Sequence, residues 1–423
     1  MQFQRLERLY LLLSITKKRG FLFLLCTLSI FLTVSCVGRG SYPAYVVAKN
    51  QAIVNEVALH PNEELLAVAG KFGVKVYNLR TLNLQYLLVD HEELVSSVDW
   101  SPDGKTLASA GEDGTVRLWD AQTGKVLDVL TKEGSRGLKS VRWSPDGTQL
   151  AAIEVSQFVF HLHGGEDNRS SLEPEVFEEV TYDVWLWDID RKDQVTALEG
   201  HSSILDSISW APNGTRLVSA SSDRTIRIWD TKTKQQVRLL EGHNQIGPIA
   251  WHSDGTKFAI ITRKETTGPN LWIWIWELSK EEPTHILGGH TGSIRQVEWS
   301  PDGNLLASTS SDKTTRIWDA TSGKELTLLK NSDQPTEAIT WSPDGTHLAI
   351  STWDNYIQIW DVSTETDSNE DISATLKITL EGHTDWITDL VWLSNNRRII
   401  SLSKDDTVRV WDVDTGHMVL KVE

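Results

Sequence analysis

The stretch GHSSILDSISWAPNGTRLVSASSDRTIRIWD, residues 200–230, decides the fold of this chain. At its centre, Ala211 to Gly214 (APNG) reads as a tight turn. Pro presets φ at the second position, the Asn or Asp that follows accepts local backbone hydrogen bonds, and Gly takes the left-handed conformation that rejoins two antiparallel strands. The stretch recurs eight times along the chain, intact or worn.

Its closing aromatic falls at Tyr77, Trp119, Trp187, Trp229, Trp276, Trp318, Trp360 and Trp411, giving spacings of 42, 68, 42, 47, 42, 42 and 51. The underlying period of 42 fits one four-stranded unit per repeat. The turn keeps the same beat. SPDG is identical at Ser101–Gly104, Ser144–Gly147, Ser300–Gly303 and Ser342–Gly345, and worn at Ala211–Gly214, His252–Gly255, His60–Glu63 and Leu393–Asn396. Around the turns, segments such as Leu107–Ala110 and Val116–Trp119 alternate, with β-branched and aromatic residues that suit a pleated, partly buried surface.

The repeated Gly-His and Trp-Asp marks, over residues 45–423, resemble the WD40 repeat family. That resemblance implies an all-β propeller, a ring of small antiparallel sheets around a central channel that leaves only short sheet edges. Eight four-stranded blades are expected. Seven, the commoner number in the family, is the alternative, because the first unit ends Tyr77-Asn78 and has no Gly-His.

Four units place His, Ser, Asp and Trp at equal offsets: His91, Ser109, Asp113, Trp119; His201, Ser219, Asp223, Trp229; His290, Ser308, Asp312, Trp318; and His383, Ser401, Asp405, Trp411. A Ser-His-Asp catalytic triad occurs once per site and faces an oxyanion hole. Fourfold repetition, and the similarity to the hydrogen-bonded tetrad of WD40 blades, make these structural residues. The intact sets alternate around the ring, with Gly134 and Ser332 at the His positions of units three and seven.

The chain carries a formal charge of −17; residues 1–35 hold five basic and one acidic side chain, leaving −21 on the remainder. Such a surface repels a phosphate backbone, so a nucleic-acid partner is not expected.

At the amino terminus, Lys17, Lys18 and Arg19 precede a mainly apolar run of fourteen residues, Phe21 to Val34, and then Cys36. The run has the length of a secretory core and is short for a membrane span. With a small residue before Cys36 it resembles a bacterial lipoprotein signal, which implies a lipidated Cys36 as the first mature residue. Thr33 departs from that pattern, and an uncleaved signal anchor is the alternative. Both readings export the remainder, to the periplasmic or extracellular face. Residues 1–35 are then the signal, 36–44 a short tether and 45–423 the propeller. Cys26 and Cys36 are the only cysteines, so the mature domain needs no disulfide. Tyr45 to Ala48 is a candidate strand for closing the ring, although the last unit offers its own outer strand in His417–Val422.

Unit three holds an acidic insertion, residues 154–182, and unit seven a polar one at Ser363–Ala374. His161, His163, Glu166 and Asp167 lie in the first, without the second His pair that would make a persuasive site, so no metal and no cofactor are expected. Nor does the chain contain a nucleophile elbow, a His-Glu-x-x-His motif or a phosphate-cradling loop.

In the family, partners dock on the top face, beside the Asp turn and at the start of the innermost strand. The resemblance places Glu112, Ser222, Ser311, Trp353 and Lys404 at the turn, and Asp206, Arg295, Glu337, Trp386 and Thr388 at the inner strand. Trp353 and Trp386 lead, because they lie outside the strand-end positions that account for most of the 19 tryptophans. With them, Arg295, Asp206, Glu337, Glu112 and Lys404 form the expected protein-binding set. Trp272 and Trp274 are expected to pack between blades. The expected function is a non-enzymatic, membrane-tethered scaffold for other proteins. The alternatives are an accessory lipoprotein of envelope assembly, and a small-ligand sensor or hydrolase using the channel, for example through Asp206 and Glu337.

Overall fold

The computed structural model describes residues 54–422 except 72, 133–136, 155–181, 192–194, 245–246, 265–271, 331–332 and 364–371. The signal, the tether, the strand at Tyr45, residues 155–181 and 364–371 of the two insertions, the His161–His163 pair, Gly134 and Ser332 lie outside the described residues, while Ser363, Ser373 and Ala374 of the second insertion belong to paired strands.

Every described element is a strand, and the strands form eight antiparallel sheets in chain order. The first unit is a full blade, with strands Val54–Leu59, Leu65–Gly70, Gly73–Asn78 and Asn83–Leu88. Eight blades, not seven, make the ring. Blade 5 has an additional two-residue strand, His243–Asn244, beside Lys257–Lys264.

Burial grades outward through each blade. The second strands are covered on both faces, as in Leu65–Gly70 and Leu305–Ser310, which is why they read as nearly unbroken runs of small and apolar residues. Outermost strands face solvent, as in Val126–Thr131, where every other residue is exposed, and Gln235–Glu241, where most are.

There is no single core. Eight apolar clusters fill the eight junctions between blades, as where Ala338, Ile359 and Leu380 meet Ile387, Trp392 and Trp411. Each fully buried large apolar side chain contributes about 1.5–3 kcal/mol. In blades 2, 4 and 6 the Trp that ends the innermost strand also joins blades: Nε1 of Trp100, Trp210 and Trp299 donates to the carbonyls of Ala58, Arg142 and Ala250 of the preceding blade, at 3.1, 3.2 and 2.9 Å.

The turn glycines take the expected left-handed conformation, φ +70° at Gly104 and +74° at Gly303. Glu63 and Asn396 hold φ of +57° and +56° in the worn turns of blades 1 and 8 without being glycine. These two turns adjoin where the ring closes. Blade 8 carries its own outer strand, Met418–Val422, and among the described residues no strand is shared between blades 8 and 1. Closure rests on an apolar cluster that includes Leu66, Val68, Ile400 and Val410.

Candidate protein-docking site

The tetrads set the frame. In blade 4, Trp229 Nε1 donates to Ser219 Oγ at 2.8 Å, which lies 2.8 Å from His201 Nε2; His201 Nδ1 lies 2.8 Å from Asp223 Oδ2. The same chain of bonds, at 2.7 to 2.9 Å, joins the sets of blades 2, 6 and 8. Each Asp also accepts the backbone N–H that follows its His, from Glu92, Ser202, Thr291 or Thr384. With Ser Oγ accepting from Trp, its own proton goes to His Nε2, which assigns the ring a proton on Nδ1.

Burial lowers the His201 and His383 pKa and keeps both rings neutral, against the opposing pull of Asp223 and Asp405. Burial alone would raise the Asp113, Asp312 and Asp405 carboxyls; hydrogen bonds from His and Thr outweigh it and hold all three well below the usual range. The four Ser hydroxyls are inaccessible, each residue 0% exposed, so no substrate reaches them. In blade 5 the histidine sits against aromatic rings. His243 meets Trp274 and Trp276 edge-on at 5.3 and 6.2 Å, and those two stack at 6.3 Å among apolar side chains of blades 4 and 5.

On the face where the innermost strands begin, five of the expected binding residues come together across blades 6, 7 and 8. Trp353 sits in the turn between Thr352 and Asp354, its N–H bonded to Pro335 O at 3.0 Å. Trp386 stands one residue before the innermost strand Ile387–Trp392, and its carbonyl accepts the Lys404 N–H at 2.8 Å. The two indoles stack at 4.3 Å between centroids and 17° between planes. That spacing leaves no room between the rings, so cations take the outer faces. Lys404 Nζ is 4.5 Å from the Trp386 ring centre and Arg295 Cζ 5.4 Å from that of Trp353. Below them, Glu337 Oε2 accepts Trp353 Nε1 at 2.8 Å and lies 3.6 Å from Arg295 Nε.

The result is a four-layer stack, Lys404, Trp386, Trp353, Arg295, in which each group is held by its neighbours. Aromatic stacking contributes about 0.5–1.5 kcal/mol and each exposed cation–π contact about 0.5–1. Trp386 remains 36% exposed. With both faces covered, it offers its edge.

Asp206 and Glu112 lie elsewhere. Asp206 is in blade 4, where Ser222 Oγ donates to it at 3.0 Å, and Glu112 is in blade 2, its N–H bonded to Leu94 O at 2.8 Å. Asp206 and Glu337, the carboxylate pair considered for the channel, are each engaged by other partners.

Irregular pairing at the start of the innermost strands, as between Leu205 and Ser207 or Ile294 and Gln296, takes the second residue out of register. Asn55, Ser96, Asp206 and Thr388, at that second position, line a channel cavity of about 390 Å³ together with Lys139, Arg142, Glu56 and Asp389. The carboxylates gathered along the channel wall are ones that motif reading passed over: Glu56, Asp99, Glu298 and Asp389. Arg142 Nη2 binds Glu56 Oε1 at 2.5 Å, and its Nη1 reaches Ser97 Oγ at 3.0 Å, so one guanidinium ties blades 1, 2 and 3. Burial pushes Asp99 and Asp389 up to about 6 and Glu298 up to about 8. Reading the third and fifth residues of each innermost strand as channel wall would have found all four. Among the described residues no group of three or more His, Cys, Asp or Glu is arranged to hold a metal ion.

Five segments, residues 82–120, 192–230, 281–319, 323–361 and 374–412, match the family model "WD domain, G-beta repeat". Each match begins within a few residues of the start of the outermost strand of one blade and ends on the third strand of the next, so the sequence repeat straddles two sheets. The chain is 25% identical to a nuclear distribution protein PAC1 of Arthroderma otae over 81% of its own length and 64% of that protein's. It is 27% identical to a WD repeat-containing protein WDS homolog of Arabidopsis thaliana, over 67% and 59% of the two chains, and 29% identical to the small ribosomal subunit protein RACK1y of Oryza sativa, over 37% and 40%. It thus spans less than two thirds of the length of each of these relatives. A chain of a solved mitotic checkpoint complex superposes with a TM-score of 0.54 at 22% identity, covering 75% of this chain and 89% of that one, which shows the shared propeller fold. The relatives named are eukaryotic, and the expectation of a bacterial lipoprotein is carried by the amino-terminal residues alone.

Proposed function

We propose that this chain, an eight-bladed propeller carrying WD40 repeats, is a non-enzymatic scaffold that docks another protein on the stack of Lys404, Trp386, Trp353 and Arg295. The observation that carries this reading is the exposed edge of Trp386 within a stack held on both sides. A preorganised aromatic and basic cluster of this kind is what interface hot spots are made of, because little side-chain freedom remains to be lost on binding. Hydroxyls shut inside the tetrads, and the engagement of Asp206 by Ser222 and of Glu337 by Trp353, support the non-enzymatic part.

The finer reading is a propeller exported and tethered to a membrane through Cys36, presenting the stack to proteins of the envelope or extracellular space. The run from Lys17 to Cys36 supports it. A photo-cross-linking residue at position 404 tests the docking surface against one at Leu127, on the outer edge of blade 2. Capture of one protein from position 404 and not from 127 is expected; equal capture at both overturns the assignment.

A further inference from the structure

We propose that the junction between blades 8 and 1 is a pH-sensitive latch, in which Asp389 and Glu56 face each other across the ring closure, loosening it when both are charged and letting it close fully when Asp389 is protonated. This inference is independent of the docking surface.

The placement of the acids is the first observation. Seven innermost strands have six residues, and at the third position blades 2, 3, 4, 6 and 7 carry Ser97, Ser140, Ser207, Gln296 and Ala338. Only blades 1 and 8 carry an acid there, Glu56 and Asp389. These blades adjoin, and both acids line the same channel cavity.

The second observation is what holds this junction. Each of the other seven is crossed by the chain as it passes from one blade to the next. This one is crossed by no strand among the described residues, and rests on an apolar cluster and on Glu63, which accepts from Ser394 N and Oγ at 2.7 Å each. Repulsion at a junction spanned by the chain strains it without parting it. At this one, among the described residues, the same repulsion has side-chain packing and the Glu63–Ser394 hydrogen bonds to overcome.

The groups facing Asp389 define the balance. Glu56 of blade 1 and Glu298 of blade 6 oppose its charge, and Arg142 of blade 3 favours it. Arg142 is already committed to Glu56 and stands beside Asp99 of blade 2, leaving three carboxyls, Glu56, Asp99 and Asp389, around one guanidinium. Lys139 and Asp206 line the same cavity, but Lys139 Nζ donates to the Leu205 and Asp206 carbonyls at 3.2 and 3.3 Å. From blade 7, Glu337 is held by Arg295 and Trp353; within blade 8, Lys404 lies over Trp386. The hydrogen bond to the Asp389 carboxylate among the described residues comes from the Leu390 N–H, at 2.9 Å. Burial pushes this carboxyl up to about 6, so the latch changes state in mildly acidic conditions.

Hydrogen-exchange protection factors, corrected for the intrinsic pH dependence of exchange, test this on the full chain at pH 4.5 and 7.0. Protection of Val54–Leu59 and Ile387–Trp392 is expected to fall roughly tenfold relative to that of Leu205–Trp210 of blade 4 on going to pH 7.0, by proton linkage. Asp389→Asn, which cannot ionise, is expected to abolish the fall. An equal fall in every innermost strand, no fall at the junction, or a fall that persists in Asp389→Asn would each overturn the latch. If the variant does not fold, the wild-type comparison of the junction with blade 4 decides alone.

Discussion

Glu63 and Ser394, 331 residues apart in the chain, are joined by two hydrogen bonds of 2.7 Å, from the Ser394 N–H and hydroxyl to the two Glu63 carboxylate oxygens. Both belong to turns whose sequences depart furthest from SPDG, HPNE in blade 1 and LSNN in blade 8. The departure has a physical reason. A glycine at position 63 would relieve the positive φ but supply no carboxylate to bridge the closure. Glu63→Ala should lower stability by about 1 kcal/mol, the scale of charge-assisted hydrogen bonds in partly hydrated surroundings. Ser394→Ala should cost little more in that background. Urea unfolding of the single and double variants checks this, and fully additive losses contradict the pairing.

Removing a tetrad histidine takes a hydrogen bond from each of two buried partners. His290→Ala strips the Asp312 carboxylate and the Ser308 hydroxyl of their bonds at 2.9 Å. A loss of a few kcal/mol is expected, because buried groups bear the full cost of desolvation. A melting temperature equal to that of the wild type contradicts it.

The eight-blade architecture was legible from the period of 42 and the recurring turn, since each turn's Pro, Asp and Gly has a local conformational task. The tetrads were legible because four identical offsets have no catalytic meaning. Trp353, Trp386, Arg295, Glu337 and Lys404 were legible as residues of one face, but their stacking across three blades was not, because the ring brings positions 295 and 404 together over a distance that no local pattern records. Asp206 and Glu112 share that face and belong to other blades. The channel carboxylates escaped for a related reason. Glu56, Asp99, Glu298 and Asp389 are ordinary alternating polar positions of their own strands and become a cluster only when eight strands converge.

The channel gives stability an unusual dependence on pH. Glu298, pushed by burial from an ordinary 4.5 to about 8, keeps in the folded protein a proton that the unfolded chain releases. Its contribution is therefore full below pH 4.5 and is lost as pH rises toward 8. Glu298→Gln should raise the melting temperature by several degrees at pH 8.5 and leave it nearly unchanged at pH 4.5. An equal effect at both values contradicts the assignment.

The tetrads act in the opposite direction. His201 and His383 are held neutral by burial, so stability falls as pH drops through about 6.5, where the unfolded chain takes up protons. The depressed Asp113, Asp312 and Asp405 add a second loss below about 4. Thermal scans from pH 3 to 9 should show stability falling at both ends, and a flat profile contradicts the balance.

The proposed lipid tether rests on Cys36. Cys36→Ala should abolish incorporation of a labelled fatty acid, and retained label refutes lipidation at this residue.

The docking claim is tested most directly by cross-linked co-purification from solubilised membranes, comparing the wild-type protein with a folded Trp353→Ala, Trp386→Ala variant. The stack predicts a stoichiometric protein captured by the wild type and lost from the variant. Capture of the same protein by both, or of none by either, contradicts the proposed docking role.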